Sequence, residues 1–320
     1  MNNQKKTFLK AYTLIELSIS LMIISLIMAG IFSMATGSVV KSKVSSTNDK
    51  INKIYRALGV YLITNKRLPC PASLNDGIND SANFGVESRP SSGDCGGFSG
   101  STSNLRYGMV PVRQLNLSSD YAVDDFGNKI SYIIDKRYTG DFMTNIVKDA
   151  ASFGTAPSTQ LMTIKEKQLD GTSVIDLSQV AIVVILSHGP NGLGAFNAND
   201  GTQNLAPSDS GEAENYPSTP YNSATSYDGV FYSEALNSDD FDDILFFKSR
   251  VDFVNDFSMQ NLIPCYSDGV TDASFTPTSK YYGQYLYANS DCSGTFEVAP
   301  RKTQKCGLNG QWEWILQNCP

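Results

Sequence analysis

The sequence predicts an α+β fold: a long N-terminal membrane-spanning helix packed on a β-sheet head, with a small disulfide-stapled β module at the C-terminus. Three observations predict it. No residue from Leu17 to Val40 carries a charge. Apolar residues then continue at three-and-four spacing through Val40, Val44, Ile51, Ile54, Tyr55, Leu58, Tyr61 and Leu62, which is one face of a helix. All six cysteines lie beyond the apolar run, four of them between Cys265 and Cys319.

The uncharged run, read as a helix, is about 36 Å long at about 1.5 Å per residue, enough to cross a hydrocarbon core. It is too long for a cleaved secretory signal, and no small-x-small site clearly ends it. Lys5, Lys6 and Lys10 precede it, so the N-terminus is expected to stay cytoplasmic and the rest to cross. The expected helix covers 12–66, with 12–40 transmembrane and 41–66 amphipathic. Pro69 and Pro71 stop it. The expected location is therefore a bacterial inner membrane, single-pass, with the head in the periplasm.

Charge is divided unevenly. Residues 1–67 hold ten Lys and Arg against Glu16 and Asp49, and the rest holds fifteen basic residues against thirty acidic ones. An acidic bulk argues against nucleic-acid binding by the head. With no CxxC pair and one histidine in the chain, a zinc site of the usual kind is not expected. An even cysteine count beyond a membrane segment reads as three disulfides in an oxidising compartment, the alternative being six buried thiols.

Glu16 stands alone in the apolar run. A charge in mid-membrane costs about 2.5–3.5 kcal/mol on insertion scales and usually has a partner. Near the start of a helix the macrodipole favours it. By these residues alone it is either an interfacial acid or a paired one. The stretch Lys10-Ala11-Tyr12-Thr13-Leu14-Ile15-Glu16-Leu17 resembles the prepilin processing motif of type IV pilins and type II secretion pseudopilins. The resemblance implies a cleaved leader over 1–11, cut by prepilin peptidase between Ala11 and Tyr12, and N-methylation of Tyr12. It also implies that Glu16 serves assembly by pairing with the freed amine of a neighbouring subunit. Two residues depart from the family pattern: Ala11 stands in place of glycine, and Ser33 in place of a kinking proline.

The head is expected over 67–260. A polar loop rich in Gly, Ser, Asn and Asp runs to about Asn104, and Cys70 with Cys95 could staple it. "YGMVPV" reads as a strand and the alternating "KISYIID" as a half-buried strand, with a tight turn at Gly127-Asn128 between them. Val180 to Leu186 reads as a fully buried strand, followed by His188. Ser187 and His188 do not form a catalytic pair, because adjacent residues in a strand face opposite ways and no GxSxG motif is present. The chain is not expected to be an enzyme, and no resident metal or cofactor is expected. Calcium stays open at two acidic turns: Asn197, Asn199, Asp200 and Gly201, and the group Asp239, Asp240, Asp242 and Asp243. Neither has the spacing of an EF-hand.

The module is expected over 261–320. Its ending, Cys306-Gly307-Leu308-Asn309-Gly310-Gln311-Trp312 and then Cys319, resembles a sushi module. That resemblance implies the pairs Cys265–Cys306 and Cys292–Cys319; spacing alone leaves three pairings open.

Taken together, these readings imply a non-catalytic minor pilin or pseudopilin, stored in the membrane and assembled into a pilus or secretion pseudopilus, at the tip because its head is bulky. Expected partners are other pilin or pseudopilin subunits, prepilin peptidase and the inner-membrane assembly machinery, with nucleic acid only in a DNA-uptake role. The alternative is a fibre-mounted adhesin or ligand-binding protein that uses the C-terminal module.

Overall fold

A computed structural model describes residues 13–80, 82–88, 95, 105–140, 162–168, 173–216, 229–234, 241–259, 264–265, 280–281, 285–287, 301–306 and 312–317. Side chains are described for these except at 27–37, 210 and 234 and from 264 onward. The chain divides into two compact units, Met1–Ser46 and Thr47–Pro320.

Helix α1 runs Leu14–Asn65. Its residues in the first unit are taken up below, with the site. In the second unit its buried face is Ile51, Ile54, Tyr55, Leu58 and Leu62. This is the three-and-four spacing seen in the sequence, and it puts one stripe of side chains on one side of the rod. The Tyr55 ring lies 5.2 Å from Phe246, 5.1 Å from Phe253 and 5.2 Å from Phe257, in tilted and edge-on geometries that aromatic pairs prefer. Its hydroxyl donates to Asp256 Oδ2 at 2.7 Å. Gly59 lets the helix approach this cluster, since a Cβ there would fall 2.0 Å from the Phe257 ring.

The sheet has six strands: β1 (Leu105–Met109), β2 (Ser131–Asp135), β3 (Met162–Lys167), β4 (Val174–Ser187), β5 (Val230–Glu234) and β6 (Ile244–Ser249). Its order is β1-β2-β4-β3-β5, with β6 also paired to β4. Only β3 and β5 run parallel among these pairs. Fourteen-residue β4 has two halves. From Ala181 to Ser187 it lies between β2 and β6 and every residue is buried. From Val174 it pairs with β3, and Val174, Ile175, Leu177 and Val180 are 40–47% exposed. The β-branched run suits a strand flanked on both edges. Val180 is thus outside the buried segment expected to begin with it.

Among the described residues the remaining helices are short. They are α2 (Arg137–Gly140), α3 (Ser210–Asn215) and α4 (Arg250–Asp256), beside one 3₁₀ turn at Ser119–Ala122. A capping box starts α4: Asp252 N donates to Ser249 Oγ, and Ser249 N donates to Asp252 Oδ2. Toward the C-terminus, β7 (Pro264–Cys265) pairs with β8 (Lys280–Tyr281). There β9 (Tyr285–Tyr287), β10 (Arg301–Cys306) and β11 (Trp312–Gln317) form an antiparallel three-stranded sheet.

The expected fold class is corrected accordingly. The head is a mixed six-stranded sheet with a few short helices, and among the described residues no helix is long and apolar enough to cross a membrane. This finding overturns the transmembrane segment expected at 12–40. It also removes the basis for a single-pass inner-membrane location with a periplasmic head.

Candidate functional site

Two places carry unusual chemistry. One lies on α1 in the first unit. Leu14, Ile15, Leu17, Ile19, Leu21, Met22, Ile23, Ile24 and Leu26 are each at least half exposed there. At about 100° per residue these positions point all round the helix, not to one side. Glu16 sits in the first turn, where its N–H donates to Thr13 O at 3.1 Å and to Thr13 Oγ1 at 3.3 Å. The Ser18, Ser20 and Ser25 hydroxyls donate back to the carbonyls of Ile15, Glu16 and Met22, each at 2.8 Å. Those polar groups are satisfied inside the helix, so the rod offers apolar surface and one carboxylate. Ala11 and Tyr12, the expected cleavage and methylation positions, lie outside the described residues.

The other place lies in the second unit, at one end of the sheet. Ser187 on β4 is paired with Ile244 on β6, so the residues just beyond, His188 and Asp243, meet. The His188 Nδ1 is 3.3 Å from Asp243 Oδ1, with both side chains 1% exposed. Gly189 follows at φ +57, and a Cβ on it would fall 2.1 Å from the Asp242 carbonyl oxygen. Only glycine takes this left-handed turn so close to another backbone. Helix α3 brings Glu212 to the same spot; its N-cap Asp209 accepts from Gly211 N and Glu212 N.

Donors hold one oxygen of Asp242 and of Asp243, and both oxygens of Glu212, which accept from Asn191 Nδ2 at 3.2 and 3.3 Å. Asn191 N donates to Asp242 Oδ2 at 2.7 Å, Asn215 Nδ2 to Asp243 Oδ2 at 2.8 Å, and Asp242 N to Glu212 Oε1 at 2.9 Å. Burial, then the repulsion of Asp243 and Asp242, push the Glu212 carboxyl up to about 7. Burial also raises Asp242. Nearby, Asp124 is buried and accepts from Ser187 Oγ at 2.7 Å, and burial raises its pKa too.

The residues singled out in the sequence divide as follows. Cys70 and Cys95 are joined by a disulfide with Cα atoms 5.5 Å apart. Cys265 lies on β7 and Cys306 on β10, while Cys292 and Cys319 are outside the described residues, so both expected C-terminal pairs lie outside what is described. Asp239 and Asp240 are likewise outside. In the loop at 197–201 the Asn197 side chain accepts from Asn199 N, and Asp200 Oδ1 accepts from the Thr202 N–H and hydroxyl. Sequence reading grouped Asp242 with Asp243 but missed Glu212 and Asn191. Their separations of 30 and 51 residues from Asp242 leave no local signal; the β4–β6 pairing brings in Asn191, and α3, tied to β5 through Asn215 and Tyr232, brings in Glu212.

No family model, no characterised protein and no solved structure matches this chain. The resemblance to type IV pilins and type II secretion pseudopilins is therefore withdrawn, together with the pilus, secretion and membrane assignments drawn from it. An eight-residue motif carried it, and the membrane-spanning helix that such a motif should introduce is absent among the described residues. The sushi resemblance, which rested on cysteine spacing and one Gly-x-Trp element, is withdrawn with it.

Proposed function

We propose that the chain is a non-catalytic subunit of a fibre held together by packing of its N-terminal rod against the rods of neighbouring subunits. One observation carries this reading: apolar side chains are exposed all round α1 from Leu14 to Leu26. An apolar stripe on one side would be covered by a single partner surface. A rod apolar on every side needs several neighbours, as the inner helices of a bundle do. Copies of the same chain supply such neighbours at no extra cost in specificity.

Glu16 then has a role. Packed among apolar helices, its carboxylate needs a positive partner, and a free amino terminus on an adjoining rod is the nearest chemistry that fits. Cleavage between Ala11 and Tyr12 by a leader peptidase would supply such an amine, and methylation would keep it basic. The head contributes bulk, which suits a minor position such as a fibre end.

The test compares the full chain with Glu16→Ala, using sedimentation and electron microscopy, and sequences the purified amino terminus. Polymers that form with the parent and fail with the variant are expected, with Tyr12 as first residue. A chain that stays monomeric at high concentration overturns the reading. Intact polymers that lose surface attachment when residues 265–319 are deleted would instead favour the ligand-binding alternative.

A further inference from the structure

The acid cluster at the β4–β6 end of the sheet has no part in fibre packing and needs its own account. Ligand atoms of Glu212, Asp242 and Asp243 all lie within 4.8 Å of one another. Glu212 is 2% exposed and Asp243 7%. Asp242 and Asp243 are each anchored through one oxygen by an amide donor, with Asp242 Oδ1 and Asp243 Oδ1 left without a hydrogen bond, while Glu212 accepts at both oxygens. Outer donors that fix one oxygen and free the other are how metal-binding carboxylates are oriented.

A second observation concerns the imidazole beside the acids. His188 is buried, its Nδ1 is directed at Asp243 Oδ1 from 3.3 Å, and neither ring nitrogen makes a hydrogen bond. A buried imidazole whose ring nitrogens make no hydrogen bond is costly, and so are three crowded carboxylates. One positive ion placed against the free oxygens answers both, because it neutralises the acids and gives the imidazole an electrostatic or direct ligand role.

We propose that Glu212, Asp242 and Asp243 form a binding site for an oxygen-preferring divalent cation, with His188 at its edge. Three carboxylate donors select a hard ion, Ca²⁺ or Mn²⁺, and the adjacent imidazole nitrogen favours Mn²⁺ if it ligates directly. The ion would tie three segments distant in sequence: the β4 exit, α3 and the β6 entry.

The experiment is calorimetric titration of the chelator-treated full chain with Ca²⁺, Mg²⁺ or Mn²⁺, alongside thermal melts. Saturable binding of Ca²⁺ or Mn²⁺ with a raised Tm is expected, and Asp243→Asn should weaken it at least about tenfold. The same variant should melt no lower than the parent in chelator, because one of three crowded charges is gone. His188→Ala should weaken Mn²⁺ more than Ca²⁺ if the imidazole ligates, and both equally if it acts only as a neighbour. Should Asp243→Asn fail to fold, Glu212→Gln in the same titration decides. No binding of any of the three ions to the parent, or equal affinity in the Glu212 and Asp243 variants, overturns the site.

Discussion

Glu16 and Lys129 show how much one charged side chain depends on what surrounds it. Glu16 is exposed on an apolar rod, so its environment is set by whatever packs there. If an adjoining amine covers it, Glu16→Ala leaves that amine buried and unpaired, a loss of about 3–5 kcal/mol per contact that polymer yield would report. The variant helix itself should form normally by circular dichroism. Lys129 is fully buried, its Nζ donating to the Leu74 carbonyl and to Asp76 O, the latter at 2.6 Å. Burial pushes its pKa down to about 8. The unfolded chain binds this proton more tightly than the folded chain, so this lysine's contribution to stability rises with pH from about 8 toward its ordinary range. The Tm difference between the parent and Lys129→Met should therefore shift in the parent's favour between pH 7.5 and 9.5. A constant difference would mean that the amine is not perturbed. The lysine was visible in the sequence, but its burial was not, because its acceptors lie 55 and 53 residues away.

At the scale of elements, the second half of α1 is held by its stripe. Leu58 is fully buried, and Leu58→Ala should cost about 2–5 kcal/mol in denaturant unfolding of the full chain. Gly59→Leu should be worse than its helix propensity suggests, since the Phe257 ring occupies the space. Ser249→Ala breaks the capping box of α4 and should cost about 0.5–2 kcal/mol. The stripe was legible from spacing and the buried half of β4 from its apolar run; the strand expected at 107–112 instead runs Leu105–Met109, and β2, expected half-buried, is buried at all five residues because β1 and β4 flank it. What spacing did not reveal is that β4 continues back to Val174 with exposed valine and isoleucine, or that β3 and β5 pair in parallel. Those depend on which strand edges were still open once β2 and β6 had taken the other half of β4.

For the whole molecule, the disulfide Cys70–Cys95 closes a separation of 25 residues. Chain entropy assigns such a loop about 3 kcal/mol, so replacing both cysteines by serine should lower the Tm with little change of fold. Circular dichroism and melts of that double variant check this. Ala72, Leu74 and Phe84 within the same loop are buried, so the covalent link adds to packing that the loop already makes. The lack of any matching family leaves the architecture to be argued from its own contacts.

By itself the sequence determined where apolar residues fall along the chain, and hence one buried helical stripe, several strands and a rod with a lone carboxylate. These are local properties, written in spacing of two or of three and four residues. Tertiary structure decided what became of them. It made the head a mixed six-stranded sheet with a few short helices, left no helix among the described residues long and apolar enough to cross a membrane, and gathered His188, Glu212, Asp242 and Asp243 at one sheet end. The reason is that strand pairing acts between residues far apart in the chain, and no periodicity of a single segment records which edge it will meet.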